Sequence, residues 1–120
     1  MKIKVSVIVA LFLTSTVSAG TAYKVIDLGT LIGSDMHAES WALSINNNGQ
    51  IVGFVDGRAT LFDATGKGKN IDLNKLISPS AGWKLGGARS INDNGWIVGS
   101  GKNPAGYTHA FLLVPISPDP

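Results

Sequence analysis

Residues 42–54 read Ala-Leu-Ser-Ile-Asn-Asn-Asn-Gly-Gln-Ile-Val-Gly-Phe, and residues 88–100 read Ala-Arg-Ser-Ile-Asn-Asp-Asn-Gly-Trp-Ile-Val-Gly-Ser. Nine of the thirteen positions are identical at an offset of 46. Ile26-Asp27-Leu28 returns as Ile71-Asp72-Leu73 at an offset of 45, and Arg58-Ala59-Thr60-Leu61-Phe62 is echoed by His109-Ala110-Phe111-Leu112-Leu113 at an offset of 51. Three echoes in one order describe a unit of about 45 residues written twice. A unit of that size is one supersecondary module that covers its apolar face by stacking on a neighbour.

Each unit reads as β-structure. Asn48-Gly49 and Asn94-Gly95 lie between apolar, β-branched stretches, the short-range signal of a hairpin. Glycine supplies the positive φ that such a turn needs, and asparagine tolerates it. Ser44-Ile45-Asn46 is one arm, Gln50 to Val55 the other, and Ala59 to Asp63 a third strand after a turn at Asp56-Gly57. The Ile-Asp-Leu segments supply a fourth strand or an extended piece beside it. The second unit repeats the order with a longer loop over 101–106. Ile51-Val52, Phe54-Val55 and Ala110–Val114 are apolar on successive residues, which predicts strands covered on both faces. Leu73–Ile77 allows one helical turn at most.

Residues 1–19 carry Lys2 and Lys4, a nine-residue mostly apolar run over 5–13 and a small-residue end, the three regions of a secretory signal peptide. The run falls short of the roughly 20 residues that span a bilayer, so no stable membrane anchor is expected after cleavage. Cleavage fits after Ala19 or after Ala22. Of the ten basic residues two lie in this leader, so the remaining eight balance the eight acidic residues. The basic residues are scattered without a stripe, which argues against nucleic acid as a partner. There is no cysteine, which removes disulfides, thiol nucleophiles and Cys-based zinc sites, and two histidines are too few for a three-histidine metal site. The mature region divides into units over about 23–66 and 67–114, followed by a Pro-rich tail at 115–120.

The blocks Val25-Ile-Asp-Leu-Gly-Thr-Leu-Ile-Gly33, Ala42-Leu-Ser-Ile-Asn-Asn-Asn-Gly-Gln-Ile-Val-Gly53 and His109-Ala110-Phe111-Leu112 resemble, in order, the pattern of the HAF-type extracellular repeat family. The resemblance covers about residues 23–114 and implies an exported, all-β repeat protein. It transfers no catalytic residue, because that family has no assigned chemistry. The first unit departs from the pattern with Arg58-Ala59-Thr60 in place of His-Ala-Phe, and the second with Asn70-Ile-Asp-Leu-Asn-Lys-Leu76 and Trp96.

Candidate chemistry is sparse. Aligned as calcium loops, the Asn-rich turns offer Ser44 and Ser90 where an aspartate is needed, and no glutamate follows at the required spacing, so they read as hairpin turns alone. His109, with Ser90, Ser100, Asp93 or Asp72 as companions, is the better base for nucleophilic catalysis, yet no G-x-S-x-G elbow accompanies it. His37, beside Asp35 and Glu39, reads as a solvated loop residue. Glu39 is the sole glutamate, which leaves little for a two-carboxylate glycosidase. The polar-aromatic residues stand out: Trp41, Trp83, Trp96, Tyr107 and Arg89. Indole and phenol rings offer a flat apolar face with a polar edge, suited to a sugar or a partner surface. Arg89 places a bidentate donor where the first unit has Leu43.

The sequence therefore predicts an all-β chain of two four-stranded, propeller-blade-like meanders. They pack either as a small sandwich or barrel, or complete a ring by homo-oligomerisation, since a ring needs about 4–8 blades. The expected function is that of a non-enzymatic binding or structural module, secreted to the periplasm or medium, with no cofactor and no metal. Its partner is expected to be a protein or a glycan. The alternative is a small, oligomeric carbohydrate-binding module, with a hydrolase as the weaker one. The ligand-binding candidates are Arg89, Trp96, Trp41 and His109.

Overall fold

A computed structural model describes residues 20–35 and 37–117. The leader at 1–19 and the last three residues of the tail lie outside them. Strands β1 (Ser40–Ile45), β2 (Ile51–Val55), β3 (Arg58–Phe62) and β4 (Ile71–Asp72) form one antiparallel sheet in that order. Strands β5 (Lys84–Ile91), β6 (Ile97–Lys102) and β7 (Thr108–Leu113) form a second. The chain is all-β, with short 3-10 turns at Leu73–Leu76 and Pro79–Ala81 between the sheets. Among the described residues the sheets stay open, closing into neither a barrel nor a ring.

The strand count differs from the sequence expectation. The second sheet has three strands among the described residues, not four. The Ile-Asp-Leu segment of the second unit pairs backwards, onto the first sheet, with Leu61 opposite Ile71 and Thr60 opposite Asp72. Its counterpart Ile26-Asp27 pairs with no strand among the described residues. A segment that follows β3 after a short loop meets the β3 edge first, so it completes the sheet before it rather than the one after it.

Strand β2 is covered on both faces, as its sequence suggests: Val52 and Val55 are fully buried. Val52 and Ala59 face Leu85, Ala88 and Ile91 of β5, with Ile97, Phe111 and Leu73 completing this core. On the opposite face Val55 and Phe62 pack with Leu31, and with Leu28 and Ala38 beside it. Burying each valine stabilises by about 1.5–3 kcal/mol. Strand β7 departs from expectation. Phe111 is buried, but Leu112 and Val114 are about half exposed, so only one face of that sheet is covered.

The turns explain the register. Asp56 and Gly57 both have positive φ, which makes a two-residue hairpin whose twist matches the strands. The Asn-Gly hairpins differ from expectation, because only Gly49 and Gly95 adopt positive φ there. Asn46 and Gly49 close a type I-like turn (Gly49 N–H to Asn46 O, 3.1 Å), and the left-handed glycine follows it.

Each sheet also carries a bulge at a matching sequence position. Leu43 is the extra residue between the Ala42–Gly53 and Ser44–Val52 pairs, and Arg89 the extra residue between Ala88–Gly99 and Ser90–Val98. The bulge drives a backbone carbonyl towards the opposing strand. A Cβ at Gly53 would collide with Trp41 O, and one at Gly99 with Gly87 O. This close approach accounts for the glycine in both Ile-Val-Gly blocks. Replacing Gly53 by Ala is expected to cost about 2 kcal/mol or more, read as a lowered midpoint in urea unfolding.

Candidate functional site

Among the described residues the Asn-rich tips are densely hydrogen-bonded. Asn46 Oδ1 accepts from the N–H groups of Asn48 (3.0 Å) and Gln50 (2.9 Å). Asn92 Oδ1 accepts in the same way from Asn94 (3.0 Å) and Trp96 (2.9 Å). The loop at Asn103–Tyr107 repeats the device: Asn103 Oδ1 accepts from Ala105 (3.0 Å) and Tyr107 (2.9 Å), and Gly106 carries the positive φ. The shared signal is an asparagine three residues before a glycine, with any two residues between. Asp63 and Gly66 form a related turn, in which the Thr65 hydroxyl and N–H hold the Asp63 carboxyl below the ordinary carboxylate pKa.

The first two tips lie against each other. Asn46 Nδ2 donates to Asn92 O (2.8 Å), Asn47 N–H and Nδ2 donate to the two Asp93 carboxylate oxygens (2.8 and 2.7 Å), and Asn48 Nδ2 donates to Asp93 O (3.1 Å). The oxygens that a calcium ion would need are thus facing N–H groups. This ladder borders a hollow of about 750 Å³, where Asn48, Asp93 and Asn94 rim an apolar floor that includes Leu73, Ile91 and Leu112.

At the opposite end of the sheets Asn74 clamps the start of β5. Its Oδ1 accepts from Leu85 N–H (2.6 Å) and its Nδ2 donates to Leu85 O (3.0 Å), while Asp72 Oδ1 accepts from Asn74 N–H (2.9 Å). Asp72 also pairs with Arg58 at 3.7 Å. A second hollow, about 600 Å³, opens there beside Arg58, Lys84 and Lys102, with Asp72 as its acid.

The four ligand-binding candidates are dispersed. Trp41, 53% exposed, lies over Phe54 with ring centroids 6.3 Å apart and planes 18° from parallel. It lines a shallow hollow of about 400 Å³ with Asp35, His37, Glu39 and Asp56. Trp96 is 43% exposed at the first residue after its turn, and Arg89 sits exposed on the β5 bulge. His109 is exposed on β7, its Nδ1 3.1 Å from Asn103 Nδ2 and its ring stacked near Tyr107 at 6.4 Å. Among the described residues, no hydrogen bond or ring pair joins any two of these four, and none of the hollows of about 750, 600, 440 and 400 Å³ is lined by two of them. Trp83 is half-buried and packs edge-on against Phe111 at 6.4 Å, a core role. His37, Asp35 and Glu39 do line one hollow, but no group of three metal-ligating side chains forms among the described residues.

Sequence reasoning missed two features. The Asn47–Asp93 pair joins residues that differ between the units, so the alignment hid it among mismatches. The Asn103 turn was hidden by its longer loop, although its Asn-x-x-Gly spacing was readable. No family model, curated protein or solved structure matches the chain.

Because one side-chain oxygen holds two N–H groups at each tip, Asn92→Ala and Asn103→Ala should each cost about 1–2 kcal/mol. Asn92→Asp, which keeps the acceptor, should stay close to wild type in the same denaturant titration.

Proposed function

We propose that this chain is an exported, non-enzymatic protein built from two stacked copies of one β-repeat, acting as a binding or structural module at the cell envelope or beyond it. The observation that carries this reading is the use made of the motif's polar groups. Asn46, Asn92, Asp72 and Asn74 turn their side-chain oxygens onto backbone N–H groups, and Asp93 turns its carboxylate onto Asn47. The most information-rich part of the sequence makes and registers turns. The leader at 1–19 supports export, and the resemblance to the HAF-type repeats supports the same compartment and a blade-like unit. Function then falls to exposed surface, where partner chemistry is set by side chains that the turns do not use.

A carbohydrate-binding reading has one observation in its favour. Trp41 offers an exposed flat ring, backed by Phe54, with Asp35, Glu39 and Asp56 around the same hollow. Sugars stack on such rings through their C–H faces and hydrogen-bond to flanking carboxylates. A glycan array on protein beginning at residue 20 separates the readings. Binding that weakens about tenfold or more in Trp41→Ala would establish the sugar site. Silence across the array leaves a protein partner or a structural role. Turnover of esters or glycosides that disappears in His109→Ala would overturn the non-enzymatic proposal.

A further inference from the structure

The two sheets present the same face in different states. Val52 and Leu61 are opposite each other on the face of the first sheet that β5 covers, and Val52 is fully buried. At the matching positions of the second sheet, Val98 and Leu112 are opposite each other and are 44% and 51% exposed. Ala59 is fully buried, and its counterpart Ala110 is exposed. The second sheet therefore bares the face that the first sheet covers with a following sheet.

The edges show the same mismatch. The β3 edge is closed by Ile71-Asp72, whereas β7 has no fourth strand among the described residues. Ile26-Asp27 matches Ile71-Asp72 in sequence and shares one local contact with it. Asp27 Oδ1 accepts from Gly29 N–H at 2.9 Å, as Asp72 Oδ1 does from Asn74 N–H at 2.9 Å. Val25 next to it is 95% exposed.

The polar ladder is also unfinished. Asn92 Nδ2, Asp93 N–H and Asn94 Nδ2 correspond to the first tip's donors, and none has a partner among the described residues. The Arg58–Asp72 pair has as its counterparts His109 and Asp27. With Asn103 donating to His109 Nδ1, the His109 Nε2–H is left to donate to a carboxylate.

The chain's own Ile26-Asp27 cannot fill this place. Leu28, Leu31 and Ala38 are packed on the far face of the first sheet with Val55 and Phe62, and Asn70 Nδ2 donates to Leu28 O (2.7 Å) and Thr30 O (2.8 Å). We infer that the bare face and edge of the second sheet receive a second copy of this chain, head to tail. Ile26-Asp27 of the incoming copy adds antiparallel to β7, Ile26 opposite Leu112 and Asp27 opposite Phe111 and beside His109. The contact continues the interface already present between the two sheets. Being heterologous, it builds a ring where the rotation closes and a filament where it does not. The inference rests on the reading of two stacked copies of one unit, and it adds the partner.

Complementation tests it. Leu112→Glu spoils the receiving end at an exposed position, and removal of residues 20–27 spoils the incoming end. By light scattering on a sizing column at micromolar concentration, protein beginning at residue 20 should have at least twice its chain mass. Each altered protein alone should fall to one chain mass with an unchanged far-ultraviolet spectrum. Mixed, the two should form a one-to-one pair, because each retains the end that the other lacks. A strictly monomeric, folded wild type overturns the inference, as does an oligomer whose mass neither change reduces. Glycan binding is read separately, so an oligomer silent on the array sustains the assembly and removes only the sugar reading.

Discussion

The contact between the Asn46–Gly49 and Asn92–Gly95 tips sets how the two sheets sit. Apolar packing between sheets is non-directional and would tolerate a slide along the strands, whereas hydrogen bonds to defined atoms would not. Asn47 grips both oxygens of Asp93, and Asn46 reaches the Asn92 carbonyl, so a shift of one residue breaks every rung. The Asn74 clamp on Leu85 fixes the other end of β5. With both ends pinned, Val52 and Ala59 meet Ala88 and Ile91 in one arrangement.

Backbone requirements follow from that arrangement. The bulges at Leu43 and Arg89 keep Ile45 and Ile91 opposite Ile51 and Ile97 while bringing the strands close at Gly53 and Gly99. The extra residues, Leu43 and Arg89, are both exposed. The difference between them alters the surface and leaves the core alone. The two sheets thus share the bulge and the close approach at glycine, and differ in the residue that the bulge inserts.

Much of this was legible in the sequence. The Asn-Gly blocks marked the hairpin tips, the Asp56-Gly57 turn marked β2 from β3, and the both-face burial of β2 followed from its unbroken apolar run. Three things were not. The positive φ that asparagine tolerates falls at the tips on Gly49 and Gly95 alone, because Asn46 and Asn92, each accepting two N–H groups, hold a turn with a single left-handed residue. The covered face expected for β7 was inferred from residue type, and residue type does not say whether a neighbouring sheet is present. The dispersal of Arg89, Trp96, Trp41 and His109 is a tertiary outcome that spacing along one chain does not encode.

A double-mutant cycle on Asn47 and Asp93 tests the tip contact most directly. Asn47→Ala, Asp93→Ala and the double variant are compared by urea unfolding. If the tips register the sheets through this pair, the two substitutions couple by about 1 kcal/mol, a value lowered from the buried case by solvent exposure. Strict additivity of the two single effects would contradict it.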